Sequence, residues 1–244
     1  MRWPVRSFGE HSLYHIGSLD AADKGSHGSS LEGAGLSVSM DPEAWEEIAE
    51  LGGLAWWRLW RPGARFLEIL SLDARQRRVI RAWALDQELI TPVDVWKASR
   101  YDDEVEETYT LVLEDEEEAR EEARGGRLRR GIAPAATPGL LSRMGWSARD
   151  RVVFGWDGAV LAFSEDVLGV DGAWWDERLD PGALSAPRGV IFAARLSEWE
   201  RAPSSLQEVL HADPLEGVEV GWLEAARPQL RASRPGVTGV HAVG

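Results

Sequence analysis

Apolar and polar positions alternate in several short stretches of the chain, as they do in half-buried β-strands. The pattern predicts strands at residues 36–40, 93–98 and 108–113. A short strand is also predicted at residues 13–16 and a buried strand at residues 65–70. Between the strands at residues 13–16 and 36–40 lies a long segment rich in Gly, Ser and Asp. Loops of this length inside a compact domain are commonly functional or mobile.

Helix signals lie between these strands. Asp41 and Pro42 are the residue types preferred at an N-cap and at the first helical position, and they predict a helix over residues 43–51. Asp73 has the same capping role at the start of a second helix. The charged run at residues 114–123 predicts a solvated helix or an exposed arm.

The second half of the chain contains a pattern typical of a β-hairpin. Residues 151–156 and 159–163 are mainly apolar, and Asp157-Gly158 separates them. An Asp-Gly pair between apolar runs favours a tight type I′ turn, so we expect two antiparallel strands here. A further buried strand is predicted at residues 189–193.

Together these elements predict an α+β fold with a mixed, mostly antiparallel β-sheet and two or three flanking helices. A regular βαβ alternation is not visible in the sequence. We expect residues 1–200 to form a single domain. Residues 201–244, which are rich in Arg, Pro and Gly toward their end, are expected to be a partly disordered C-terminal extension.

Charge and composition exclude several classes of protein. The chain has 41 acidic and 27 basic residues and a net charge of −14, which argues against general nucleic-acid binding and against docking on anionic membranes. Any polyanionic ligand must therefore bind at a local basic site. The absence of cysteine excludes disulfides and Cys-based zinc sites. With no apolar run that predicts a signal peptide or a membrane span, we expect a cytoplasmic location.

Residues 170–192 form the most unusual stretch of the sequence. It contains adjacent tryptophans and four carboxylates, namely Trp174, Trp175, Asp171, Asp176, Glu177 and Asp180. In an extended segment, successive side chains point to opposite faces, so we expect one indole to face away from the core. A carboxylate beside an exposed aromatic ring suits a ligand with a ring and polar groups. We expect the stretch to run along a sheet edge.

Other interpretations of these residues stay open. The carboxylates can be merely solvated, or Asp171, Asp176 and Asp180 can bind a cation, although their spacing does not fit a calcium loop. His15 projects from its strand to the opposite face from its neighbours, and is either a ligand-binding imidazole or a structural histidine. The serines at residues 36–40 either offer hydroxyls to a ligand or only pack between strand and helix.

Three pieces of the chain, taken in order, resemble the ADP-ribosyltransferase superfamily. They are Tyr14-His15-Ile16-Gly17-Ser18, the strand-to-helix segment 36–45, and the acidic pair Asp176-Glu177. Family members open on a strand reading Tyr-His-Gly-[Ser/Thr], continue with a strand before a helix, and carry an acidic residue on a late strand. Here an Ile is inserted in the first motif, and Ser replaces the aromatic residue of the second. The resemblance extends from about residue 12 to residue 195.

The resemblance implies an ADP-ribosyltransferase-like fold and a reaction in which NAD is the substrate. NAD loses nicotinamide through an oxocarbenium-like state at the ribose, and a nearby carboxylate stabilises such a state. By the same resemblance, Glu177 is the catalytic carboxylate, with Asp176 as its rival, and His15 binds the ribose. The acceptor of ADP-ribose, a protein or a small molecule, is left open, and no metal is implied.

The resemblance also implies a set of NAD-binding residues drawn from the three motifs. Hydroxyl and imidazole groups bind the ribose hydroxyls and the amide group of nicotinamide. An indole stacks on the nicotinamide ring, and an arginine binds the pyrophosphate. The set is Tyr14, His15, Ser37, Ser39, Trp174, Trp175 and Arg188. Arg58 and Arg61 are further candidates for the pyrophosphate.

A second hypothesis makes the chain a non-catalytic acidic protein of the immunity or inhibitor type. Its acidity and the charged run at residues 114–122 would suit a basic protein partner, and its tryptophans would act as anchors.

Overall fold

The computed structural model describes residues 1–8, 11–19, 35–48, 53–102, 107–175 and 188–205. These residues form an α+β fold with two β-sheets and five α-helices. The predicted α+β class is confirmed, with more helices than the two or three expected. None of the helices in the described part of the chain is long and apolar enough to cross a membrane.

The larger sheet has eight short strands. They are β1 (Val5–Ser7), β2 (Leu13–Ile16), β3 (Gly35–Ser39), β4 (Trp56–Trp60), β5 (Arg65–Glu68), β9 (Gly172–Trp175), β10 (Arg188–Phe192) and β11 (Glu200–Ser204). Their order across the sheet is β1-β5-β9-β10-β3-β2-β4-β11. Among the described strands of this sheet the β5–β9 pair is parallel and the other pairs are antiparallel. A mixed, mostly antiparallel sheet is therefore confirmed.

The smaller sheet is an antiparallel unit of three long strands. They are β6 (Ile90–Asp102), β7 (Glu107–Leu113) and β8 (Arg127–Ala136), in the order β7-β6-β8. The five helices are α1 (Pro42–Ile48), α2 (Ala74–Asp86), α3 (Glu116–Glu122), α4 (Pro138–Met144) and α5 (Arg151–Asp166). Helix α3 packs on one face of this sheet through Ala119 and Ala123, and α5 packs on the other through Val152.

Most of the elements predicted from alternation and capping are present. The strands expected at residues 13–16, 36–40, 65–70, 93–98, 108–113 and 189–193 correspond to β2, β3, β5, β6, β7 and β10. Asp73 caps α2 as predicted, since its carboxylate accepts hydrogen bonds from the N–H groups of Arg75 and Gln76. The charged run at residues 114–123 contains α3, which begins after the cap residue Asp115.

A hydrophobic core covers each face of the larger sheet. On one face, α2, α4 and α5 pack against Ala173, Trp175 and Val190. On the other face, Trp174 packs among aromatic and aliphatic residues that include Phe66. Strands β9 and β10 lie in the middle of the sheet, so the expectation that residues 170–192 follow a sheet edge was wrong.

The hairpin predicted around Asp157-Gly158 was wrong, because this segment lies inside the single helix α5. Two glycines allow the helix to approach its neighbours closely. A Cβ atom at Gly155 would lie 2.2 Å from the carbonyl oxygen of Pro134 in β8, and one at Gly158 would lie 2.8 Å from the ring of Trp146. A helix buried on most sides is apolar in a continuous run, which resembles the pattern of a buried strand.

The larger sheet continues past residue 200, where the C-terminal extension was expected to begin. Strand β11 pairs with β4 from Glu200 opposite Trp60 to Ser204 opposite Trp56. Residues 206–244, which make up most of the expected extension, lie outside the described residues.

The close contact between α5 and β8 predicts that Gly155→Ala destabilises the protein. Alanine favours helix by about 1 kcal/mol over glycine, yet the added methyl group would force α5 away from Pro134, at a cost of about 1–3 kcal/mol. Urea unfolding of the purified variant measures this change.

Gly139→Ala in α4 is the matched control, because the nearest atom to its Cβ position is Thr137 Oγ1 at 3.9 Å. We expect this variant to be as stable as the parent chain or more so. Equal stability of the two variants would contradict close packing at Gly155.

Candidate functional site

Four of the residues predicted to bind NAD lie in one row across the larger sheet. Tyr14 of β2 is opposite Ser39 of β3, Ser39 is opposite Arg188 of β10, and Arg188 is opposite Trp175 of β9. Residues paired in this way point to the same face of a sheet. Neighbouring strands are about 4.8 Å apart, so the row extends over about 14 Å. We refer to Tyr14, Ser39, Arg188 and Trp175 as the polar row, after its three polar members.

The members of the polar row differ in their access to solvent. Ser39 and Tyr14 are buried, and the Ser39 hydroxyl accepts a hydrogen bond of 3.0 Å from the N–H of Asp41 at the start of α1. Arg188 is only partly buried. Ser37 lies two residues before Ser39 on the same face and is also partly exposed. Ser37 and Arg188 are therefore the two residues here that keep partial exposure, although the Nε atom of Arg188 is itself buried.

A second arginine extends the polar row beyond Tyr14. Arg58 of β4 is opposite Tyr14, is exposed, and lies over the ring of Trp60 at 4.8 Å. The third candidate, Arg61, lies elsewhere and binds the carboxylates of Asp171 and Glu198. Cations thus lie on both sides of the Tyr14–Ser39 pair in a chain that is acidic as a whole.

His15 lies on the opposite face of the sheet from the polar row. Its Nδ1 is 2.7 Å from the carbonyl oxygen of Ser37, and its Nε2 is 2.8 Å from that of Ser18. The imidazole therefore connects β2 both to β3 and to the segment after β2. A ligand can reach a ring nitrogen only if one of these contacts opens, so the contact to ribose implied by the resemblance is not formed by this arrangement.

Burial governs the protonation of His15. The loss of solvent lowers its pKa below the ordinary value of 6.5, although the two carbonyl groups act to raise it. A neutral imidazole carries one N–H, so only one of the two carbonyl contacts is a hydrogen bond in that state. Protonation would supply the second donor, but at the cost of burying a positive charge.

The expectation that one of the adjacent indoles faces away from the core was wrong. Trp174 is 0% exposed and Trp175 is 2% exposed, because both faces of the sheet are covered. The Trp174 ring contacts Phe8 and Phe66, at centroid distances of 4.8 and 6.0 Å, and Trp175 belongs to the core formed by the helices. Neither indole offers a surface on which a nicotinamide ring can stack.

The two candidate catalytic carboxylates, Asp176 and Glu177, lie outside the described residues, as does Asp180. They follow Trp175, the last residue of β9 and the end of the polar row. The sequence therefore continues into this acidic pair directly from the residue opposite Arg188.

Asp171, the remaining carboxylate of this stretch, has a structural role. It is 5% exposed, forms an ion pair with Arg61, and accepts a hydrogen bond of 2.7 Å from the N–H of Arg65. These contacts tie the residue before β9 to Arg61, which follows β4, and to the first residue of β5. In the part of the chain that the structure describes, no group of three or more His, Asp or Glu side chains is arranged to hold a metal ion.

A second surface, on the smaller sheet, was not predicted from the sequence. Lys97 and Ser99 of β6 and Arg127 and Arg129 of β8 share a face, because Lys97 is opposite Arg129 and Ser99 is opposite Arg127. The period-2 spacing of Arg127 and Arg129 on β8 was the signal that could have revealed it.

In comparisons with known proteins, no family model, curated protein or solved structure matches the chain. Functional assignment of the polar row therefore rests on its geometry and on the order of the motifs.

The burial of His15 predicts a specific loss of stability at low pH. Because the folded state has the lower pKa, the unfolded chain takes up the proton first as pH falls. The contribution of neutral His15 to the stability of the folded state is fully present above pH 6.5, the ordinary pKa of histidine. It is lost as pH falls through the lower pKa that His15 has in the folded state. Thermal unfolding at about pH 7.5 and about pH 5.5 should show a larger loss of Tm for the parent chain than for His15→Gln.

An equal loss of Tm in the two proteins would contradict a lowered pKa of His15. A smaller loss in the parent chain would show the opposite, namely that the folded state prefers the imidazolium bound to both carbonyl groups.

Proposed function

We propose that this chain is an NAD-dependent ADP-ribosyltransferase or an NAD-cleaving relative. The observation that carries the proposal is the polar row, because it joins the three motif regions on adjacent strands. Tyr14 belongs to the first motif, Ser39 to the second, and Trp175 precedes the acidic pair of the third. These regions are far apart in the sequence, and their order across the sheet supports a shared site.

In this proposal Arg188 of the polar row binds the pyrophosphate of NAD. Arg188 is partly exposed, and a guanidinium can bind two phosphate oxygens at once. The Ser37 hydroxyl, on the neighbouring strand, donates a hydrogen bond to the same ligand. Arg58 lies beyond the Tyr14 end of the row and suits a second negatively charged group.

The carboxylate of Glu177 or Asp176 acts on the ribose. Cleavage breaks the bond between the ribose C1′ and the nicotinamide nitrogen, and the bonding electrons leave with nicotinamide. The carboxylate stabilises the resulting positive charge on the ribose until the acceptor, or water, forms the new bond at C1′. His15 has a positioning role, because its ring nitrogens contact the carbonyl groups of Ser37 and Ser18.

The proposal predicts that the purified chain releases nicotinamide from NAD or transfers a labelled ADP-ribose. Replacement of the catalytic carboxylate, by Glu177→Gln or Asp176→Asn, should lower the rate by about 100-fold or more, since it removes charge stabilisation in the transition state. Arg188→Ala should mainly raise KM, because it removes a contact to the pyrophosphate.

Asp94→Asn is the matched control, because Asp94 is an exposed carboxylate on the smaller sheet that pairs with Arg130. It should leave the rate unchanged. Activity that survives both Glu177→Gln and Asp176→Asn would reject the catalytic assignment, and the absence of any NAD cleavage would reject the proposed function.

A second candidate function is that of a non-catalytic acidic protein that binds a basic partner. Helix α3 favours this alternative, because Glu117, Glu118 and Glu121 are exposed on its surface. This alternative is favoured if the chain does not cleave NAD and if NAD does not raise its Tm.

A further inference from the structure

One half of a face of the smaller sheet extends beyond the core. Helix α5 covers the half near Val95 and Ala135 through Val152. Beyond that contact, the same face of β6 continues through Lys97, Ser99 and Tyr101. The neighbouring strands add side chains that lie opposite these. We name this set the basic face, and it consists of Lys97, Ser99, Tyr101, Thr108, Thr110, Arg127 and Arg129.

In the described part of the chain, the side chains of the basic face carry positive charge and include no carboxylate. No Asp or Glu belongs to it, and within the described residues none of Lys97, Arg127 and Arg129 forms an ion pair with a carboxylate. The opposite face of the same sheet differs, since Arg130 pairs with Asp94 at 3.2 Å and the acidic helix α3 packs there. The charge is therefore segregated between the two faces of one sheet.

The other members of the basic face are suited to a phosphate-bearing chain. The hydroxyls of Ser99 and Thr110 are hydrogen-bonded to each other at 2.6 Å, across β6 and β7. Tyr101 is 56% exposed and offers a ring at the end of the surface. Arg, Lys, Ser and Thr are the side chains that commonly contact phosphate oxygens, and an exposed aromatic ring can stack on a base.

The shape of the surface distinguishes between double-stranded and single-stranded nucleic acid as a ligand. The major groove of a double helix admits an α-helix or a two-stranded ribbon, and a three-stranded sheet is broader than either. A single strand can instead lie across an open sheet, with its bases turned toward aromatic side chains. The residues of the basic face line a shallow groove that crosses all three strands.

We propose that the basic face binds single-stranded nucleic acid. Lys97, Arg127 and Arg129 contact phosphates, and Tyr101 stacks on a base. The net charge of −14 excludes a footprint over the whole surface, so binding is confined to these few contacts. The proposal is independent of NAD cleavage, because none of these residues belongs to the polar row.

The test is fluorescence anisotropy of the full chain with labelled oligo-dT and oligo-U of about ten nucleotides. Three phosphate contacts predict that the logarithm of the binding constant falls with the logarithm of salt concentration with a slope of about −2. Arg129→Ala and Arg127→Ala should each weaken binding several-fold and reduce this slope by about 0.7.

Two matched controls lie on the opposite face of the same sheet. Arg130→Ala removes an arginine adjacent in sequence to Arg129 and should leave the affinity unchanged. Tyr101→Leu should weaken binding about tenfold through lost stacking, whereas Tyr109→Leu should not, because Tyr109 lies on the face of Arg100 and α3.

Three results would overturn the proposal. The first is no binding of either oligonucleotide at about 50 mM salt. The second is a duplex that binds more tightly than its separate strands. The third is oligo-glutamate or inorganic polyphosphate that binds as tightly as the oligonucleotides, with no effect of Tyr101→Leu, since such a surface recognises only negative charge.

Discussion

The burial of Trp174 and Trp175 on opposite faces of β9 is the constraint on which the larger sheet depends. Each indole needs a covered face, so neither the helices on one side nor the aromatic cluster on the other is dispensable. Two glycines make room for this packing. A Cβ at Gly189 would lie 2.2 Å from the Trp174 ring, and one at Gly172 would lie 2.5 Å from Phe66. The central strands therefore place two large indole side chains beside glycine positions at which no side chain fits.

Local signals predicted local structure. The capping of α2 by Asp73 was predicted because cap and helix are neighbours in sequence. The strand at residues 93–98, within β6, was predicted because its apolar and polar residues alternate. Helix α5 was not predicted, because a buried apolar run has no clear period and Asp157-Gly158 has the composition of a turn. The close approach of its Gly155 to Pro134 is a contact between segments distant in sequence, which local patterns do not reveal.

The candidate site was predictable in its residue types but not in its geometry. Tyr14, Ser39 and Arg188 were identified from motifs, yet only the register of three strands shows that they share a face. The two carbonyl contacts of His15 depend on the same register. The basic face was hidden by a different effect, since a net charge of −14 gives no indication of how charge is divided between the two faces of one sheet.

The parallel pairing of β5 with β9 has a consequence for how the chain folds. Parallel strands need a crossover, and 106 residues separate Arg65 from its hydrogen-bond partner Asp171. That crossover contains the whole smaller sheet, whose antiparallel strands and α3 are close in sequence and can form early. During synthesis, β2, β3 and β4 emerge long before β9 and β10. The centre of the larger sheet can form only when these last two strands are available for pairing. The slow step of folding is thus expected to be the insertion of the antiparallel pair β9–β10 between β5 and β3. Until then the exposed edges of the first strands are the part of the chain most prone to aggregate.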